Sequence, residues 1–280
     1  MNGPVGITRD RHRTMFKWHR ARRRASDPVF TRQRVQEGMA LGASVEVDLV
    51  VHGGHGFAVL HDHLSIARET TGHGAIRDHC AEDLRALYLR GNDGTPIADH
   101  VMLLEDLAAL LTETPPHPEA LLQLDYKEGQ GELDTTTIVA FARCVGPIAR
   151  TMILSSGEAH SVGVLAEATP GVRIGHDPCH GHALTLLKQT RDFAGFVADA
   201  VAASPKAEMI YLAYPIVLAA AGEGFDIVDA FHTAGRRVDA YTIKAADNAA
   251  RPIVDQLLEL KVDQITTDDP EGLAILLEGH

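Results

Sequence analysis

Short apolar runs alternate with longer segments of helical period along almost the whole chain. The runs at residues 15–19, 44–50, 121–125, 151–155, 173–176, 209–213, 237–242 and 264–267 read as strands. Between most of them, at 31–41, 101–112, 135–145, 160–168, 227–234 and 249–260, apolar residues return every three to four positions, the period of a helix with one buried face. Strands separated by helices pair in parallel, and eight of them in one chain predict a (β/α)8 barrel. The stretch 51–118 is long for a connection and reads as an insertion after the second strand. It holds a glycine-rich hairpin, His52-Gly53-Gly54-His55-Gly56, and a helical segment near 81–87. No Ser/Gly linker or shift of composition divides the chain, so a single domain over 1–280 is expected.

The second strand is the most telling. Val45-Glu46-Val47-Asp48-Leu49 alternates apolar and acidic residues, and residues two apart on a strand face the same side. Glu46 and Asp48 therefore aim two carboxylates at one place, where they repel unless a cation lies between them. A hard divalent cation suits oxygen ligands. A solvated acidic face of a sheet is the plain alternative. A histidine able to move protons, His61, follows a hairpin later. A barrel places chemistry at the C-terminal ends of its strands. The polar residues there are His19, Glu46, Asp48, Asp125, Lys127, Ser155, Ser156, His176, Tyr214, Thr242, Lys244, Thr267 and Asp268.

Charge narrows the partners. The formal net charge of −12 disfavours nucleic acid and anionic membranes as general partners, although Arg20-Ala21-Arg22-Arg23-Arg24 could steer an anion to the first strand end. The three cysteines, Cys80, Cys144 and Cys179, are odd in number and widely spaced, which points to a reducing compartment. The N-terminus lacks the apolar core of a secretory signal, and no apolar run is long enough to span a bilayer. A cytoplasmic protein without membrane insertion is expected. The segment from His176 to His182 holds the ligand types of a zinc or copper site, but in a chain with 16 histidines such density arises without a metal.

Several short motifs then fall into order: Trp18-His19-Arg20, Glu46-x-Asp48, His61-Asp62, Arg68-Glu69-Thr70-Thr71-Gly72, Asp125-x-Lys127, Tyr241-Thr242-Ile243 and Val262 to Pro270. Their order and spacing resemble the glycerophosphodiester phosphodiesterase family, metal-dependent barrels of the phosphatidylinositol-phospholipase-C-like group. The resemblance runs from Trp18 to Pro270. It implies hydrolysis of a glycerophosphodiester or similar small phosphodiester, with one divalent cation, Mg²⁺ or Ca²⁺, held by Glu46, Asp48 and Asp125. It implies general acid–base work for His19 and His61 and phosphate contacts for Arg20 and Lys127, with a substrate hydroxyl attacking phosphorus before water opens the cyclic product.

The departures from the family pattern are specific. Ala21 replaces a usual glycine, Pro28-Val29-Phe30-Thr31 replaces Pro-Glu-Asn-Thr, Asp125 replaces a glutamate, and Tyr241 replaces a tryptophan. The sphingomyelinase D-like toxins, a distant branch, also have aspartate at the third metal position, so a lysophospholipid diester or a cyclic product stays open. So does a barrel that binds a phosphorylated headgroup without turnover. With Val29 and Phe30 in place of the polar pair, glycerophosphocholine is expected to be a mediocre substrate. Lys127 could touch substrate or merely neutralise Asp125, and Asp62 could orient His61 or cap a turn. Thr267-Asp268 is expected to be only a strand-to-helix cap. The Gly53–Gly56 tip of the insertion is expected to wall the pocket.

Overall fold

In a computed structural model, which describes residues 3–278, the eight predicted strands close into a parallel barrel. They are β1 (His12–Trp18), β2 (Ser44–Val51), β3 (Leu121–Tyr126), β4 (Met152–Ser155), β5 (Arg173–His176), β6 (Met209–Ala213), β7 (Arg237–Ile243) and β8 (Gln264–Thr267). Each pairs with the next, and β8 pairs with β1, which closes the ring. The helices around it are α1 (Arg32–Leu41), α2 (Leu104–Glu113), α3 (Thr135–Val145), α4 (Ala159–Ala168), α5 (Gly181–Thr190), α6 (Phe193–Ala203), α7 (Tyr214–Gly222), α8 (Ile227–Thr233), α9 (Ala250–Glu259) and α10 (Pro270–Glu278). Asp134, Asp192 and Asp226 start three of them by accepting a backbone N–H two to three residues into the helix.

Local period explains which face each residue takes. In β2 every residue is buried. Val45, Val47 and Leu49 join the apolar layer beneath α1 to α4, so Glu46 and Asp48 point into the barrel. A second apolar layer lies under α6 to α10. Inside, Leu121, Ile153, Met209 and Tyr211 form a small plug. Gly175 is needed beside it, because a Cβ there would stand 2.5 Å from the Tyr211 ring. Above the plug the interior turns polar. Lys17 Nζ lies 3.3 Å from Asp239 Oδ2 and 4.2 Å from the centre of the Tyr211 ring. Gln264 and Thr266 each donate to Asp239 at 2.6 Å, so this buried charge is fully paired.

The boundaries differ from the sequence reading in instructive places. The first strand ends at Trp18, and His19 opens a single turn, His19–Ala21. Helices α5, α6, α7 and α10 were not legible. The sequence of α7, Tyr-Pro-Ile-Val-Leu-Ala-Ala-Ala-Gly, is apolar all round and has no helical stripe. The insertion is shorter than 51–118, because Leu104–Glu113 is the regular helix after β2. The rest of it contains the strand Phe57–Ala58, antiparallel to the end of β2, and a hairpin of Tyr88–Arg90 with Pro96–His100. No described helix is long and apolar enough to cross a membrane.

Candidate active site

The turn after β1 sets the first two side chains. Arg20 and Ala21 both have left-handed backbone, φ 53° and 58°. A glycine at the second position would adopt this freely, whereas alanine does so at a cost of roughly 1–2 kcal/mol. The turn aims the Arg20 N–H at Glu46 Oε2, 2.7 Å away. Phe30, also left-handed at φ 59°, donates its N–H to the Arg20 carbonyl at 3.0 Å. Its buried ring lies 6.0 Å from the Arg20 guanidinium. Phe30 thus supports the turn from beneath, and neither it nor Val29 lines the cavity, contrary to the basis on which substrate preference was expected to shift.

Glu46, Asp48 and Asp125 converge. One oxygen from each lies within 4.8 Å of the others, the only such cluster of ligand groups among the described residues. Asp48 is fully buried, and neither of its oxygens has a hydrogen-bond partner. Its charge is met by ion pairs alone, Arg20 Nε at 3.1 Å and Lys127 Nζ at 2.8 Å. Lys127 also pairs with Asp125, so it serves both carboxylates and not Asp125 alone. Burial pushes the Glu46 carboxyl well up, and the neighbouring Asp48 charge adds to the shift. Burial would raise Asp48 too, but Lys127 and Arg20 outweigh it and hold Asp48 below the ordinary carboxylate range. Burial disfavours the Lys127 charge, yet Asp48, Asp125 and Glu46 push its pKa well above that of an ordinary lysine. Three converging oxygen donors, one of them without a hydrogen-bond donor, are the donor set of a hard divalent cation, and the residues fit one.

Asp125 reaches this cluster despite its short side chain because a buried chain of hydrogen bonds holds it. Lys17 donates to Gln123 Oε1, Gln123 Nε2 to Ser155 Oγ at 2.8 Å, and Ser155 Oγ to Asp125 Oδ1 at 2.6 Å. Lys17, Gln123 and Ser155 all sit on inward-facing strand positions. Ser155 stands among the polar strand-end residues of the sequence, but Lys17 and Gln123 do not, because nothing local distinguishes them from filler.

Each histidine has its own carboxylate. His19 Nδ1 donates to Asp268 Oδ1 at 2.6 Å, and His61 Nδ1 donates to Asp62 Oδ1 at 2.7 Å. A ring nitrogen beside a carboxylate holds the proton, so Nε2 is left as the acceptor in the neutral ring. Burial lowers the His19 pKa, partly offset by Asp268. Asp62 is therefore an orienting group. Asp268 is not merely a cap: the residue that starts α10 is Asp269, whose Oδ1 accepts from Gly272 N at 2.8 Å. Glu69, also missed, is buried and accepts the backbone N–H groups of His61 and Asp62 at 3.1 and 2.8 Å, which fixes the turn that presents His61.

His19, Arg20, Glu46, His61, Asp125 and Lys127 line one cavity of about 180 Å³, with Asp48 beneath them. Lys17, Gln123, Asp177, His180, Tyr211, Tyr241, Thr242 and Thr266 complete its walls. Other expected residues do not arrive. Tyr214 and Lys244 are not in the walls, and His61 is the insertion's only contribution. The Gly53–Gly56 tip packs elsewhere, a Cβ at Gly53 meeting the Arg77 carbonyl at 2.5 Å. The basic run is neutralised in place. Arg22 lies 3.2 Å from Asp268, Arg23 pairs with Glu37 and Glu271, and Arg24 pairs with Glu271. Among the described residues the His176–His182 ligand types form no cluster of three, and Asp177 is engaged by Cys179 N and His180.

A model of the Glycerophosphoryl diester phosphodiesterase family matches residues 31–272, a span that begins just after the departing first-strand loop. Among solved structures, a glycerophosphoryl diester phosphodiesterase of Silicibacter pomeroyi superposes with a TM-score of 0.71 at 18% identity over 99% of this chain and 95% of its own. One from Agrobacterium tumefaciens gives 0.69 at 20% identity over 95% and 98%. A phosphodiesterase of Oleispira antarctica, in complex with its product sn-glycerol-3-phosphate, gives 0.65 at 17% identity over 94% and 96%. At these identities the superpositions establish the fold. No curated protein matches the chain.

Proposed function

The chain belongs to the glycerophosphoryl diester phosphodiesterase family, phosphoric diester hydrolases by class, and on that premise we propose that it hydrolyses a small glycerophosphodiester to a phosphomonoester and an alcohol by metal-dependent histidine catalysis. One observation carries the reading. Three carboxylates, two of them buried, converge at a cavity whose walls hold two histidines, each with Nδ1 tied to its own carboxylate.

Glu46, Asp48 and Asp125 would hold a divalent cation, Mg²⁺ or Ca²⁺, which would supply positive charge to the phosphate oxygens and so lower the barrier to attack on an anionic diester. Arg20 and Lys127 flank the same carboxylates and present N–H donors to the phosphate. His19 is the better base. Burial lowers its pKa and so favours the neutral ring, and Asp268 leaves its Nε2 lone pair free for the proton of the attacking substrate hydroxyl. As the new O–P bond forms, the bond from phosphorus to the leaving alcohol breaks, and His61 Nε2 delivers that alcohol its proton. In the second half His61 takes a proton from water, water opens the cyclic phosphate, and His19 returns its proton to the ring oxygen. Asp62 and Asp268 stabilise whichever imidazole is charged. The product bound by the Oleispira phosphodiesterase is of the class this reaction releases.

The test is hydrolysis of glycerophosphocholine by protein stripped with EDTA. Turnover should vanish on verified metal removal and return with Mg²⁺ or Ca²⁺. Undiminished turnover in metal-free protein would remove the carboxylate cluster from the mechanism.

A further inference from the structure

Three imidazoles line the polar cavity, and the proton path uses two of them. The third is His180, which precedes α5 in the loop after β5. Its side chain is exposed, and it forms a pair with a carboxylate as the other two do: Nε2 donates to Asp177 Oδ2 at 2.9 Å. Asp177 is held in turn, its Oδ1 accepting the Cys179 N–H at 2.8 Å. The ring lies against Gly157, where a Cβ would stand 2.7 Å from it. With Nε2 engaged, Nδ1 is the nitrogen left for a ligand. Tyr241 and Thr242 stand in the walls of the same cavity. Burial, helped by the nearby Asp177 charge, pushes the Tyr241 pKa up, so that group stays a hydroxyl.

Position decides which part of a diester meets this wall. His180 follows β5, four strands round an eight-strand ring from β1, whose end carries His19. Attacking and leaving oxygens lie roughly in line through phosphorus. With the attacking hydroxyl beside His19, the leaving alcohol points across the mouth towards His180.

Hydrogen bonding decides which alcohol fits. The bond to Asp177 raises the His180 pKa, so both the neutral and the charged ring matter at working pH. A hydroxyl serves either state, because it donates to the neutral ring and accepts from the charged one. A quaternary ammonium can do neither. Such a cation is bound instead by open aromatic faces. Of the two tyrosines in the cavity walls, Tyr211 already carries Lys17 Nζ 4.2 Å from its ring centre.

We propose that His180, held in place by Asp177, is a specificity-determining residue that hydrogen-bonds the leaving alcohol, and so favours an alcohol bearing further hydroxyls, a polyol, over one bearing a quaternary ammonium. The proposal rests on the phosphodiesterase reading and adds to it a residue and a preference.

The experiment measures kcat/KM of metal-loaded protein for glycerophosphoinositol, glycerophosphoglycerol and glycerophosphocholine, and reads the ratio of either polyol diester to the choline diester. The ratio should exceed one in wild-type protein and fall ~3- to 10-fold in His180→Leu, the scale of one hydrogen bond. His180→Asn, whose amide stands about where Nδ1 does, should recover part of the preference. His180→Ala takes the place of the leucine variant should that one fail to fold. A wild-type ratio of one or less, an unchanged ratio in folded His180→Leu, or an asparagine variant no better than leucine would overturn the proposal and leave the phosphodiesterase reading intact. So would an equal fall on all three substrates, which would put His180 against the glycerol half they share. Failure of the wild-type protein to hydrolyse any diester would overturn both.

Discussion

Asp268→Asn tests whether His19 depends on a carboxylate brought to it from the far end of the chain. The substitution keeps the shape and removes the charge. The bond it weakens is short, 2.6 Å from His19 Nδ1 to Asp268 Oδ1, and joins a charged acceptor to a largely buried ring. Hydrogen bonds to charged groups contribute ~1.5–3 kcal/mol. At 1.36 kcal/mol per decade of rate, kcat should fall roughly 10- to 150-fold. KM for a small diester should change little, because Asp268 does not line the cavity. The pH profile supplies an independent readout. Burial lowers the His19 pKa, and Asp268 is the main influence raising it. Loss of the carboxylate therefore lowers that pKa further, His19 gives up its proton at lower pH, and the acidic limb of kcat/KM moves towards acid. A residue that only held the fold together would shift the melting temperature and leave the limb in place. Wild-type kcat with an unmoved limb in folded Asp268→Asn protein would refute the reasoning.

Two further outcomes follow from the same geometry. His19→Ala and His61→Ala should each lose ~10²–10⁴-fold in turnover with the fold retained by circular dichroism, and near-native turnover in either would remove that imidazole from the proton path. Ser155→Ala cuts the chain between Gln123 and Asp125, so Mg²⁺ affinity measured by titration calorimetry should weaken ~10- to 100-fold, while unchanged affinity would show that Asp125 is placed by other means.

Much of this protein was legible along the chain. Short apolar runs between helical segments located all eight barrel strands to within a few residues, because a parallel strand with one face on helices and the other inside a barrel is buried on both. Period-two alternation put Glu46 and Asp48 on one side of β2, and the order of short motifs singled out His19, His61, Asp125 and Lys127, which do converge on one cavity. Helix α7 escaped notice because an apolar segment of nine residues has no face to mark it. What only the tertiary structure decided are the partners. His19 and Asp268 lie 249 residues apart, and Gln123 and Ser155 meet across two strands. No local period records such a pairing, since a hydrogen bond depends on where two elements finish in space and not on spacing within either. The arginine run shows the converse. Its five-residue charge pattern is plain in the sequence, but whether it is free to draw an anion depended on Glu37, Asp268 and Glu271 arriving beside it, and they do. The space between α5 and α6 is of the same kind. Leu187 and Phe196 look like ordinary core residues in two neighbouring helices, and only the packed structure shows that both line one cavity.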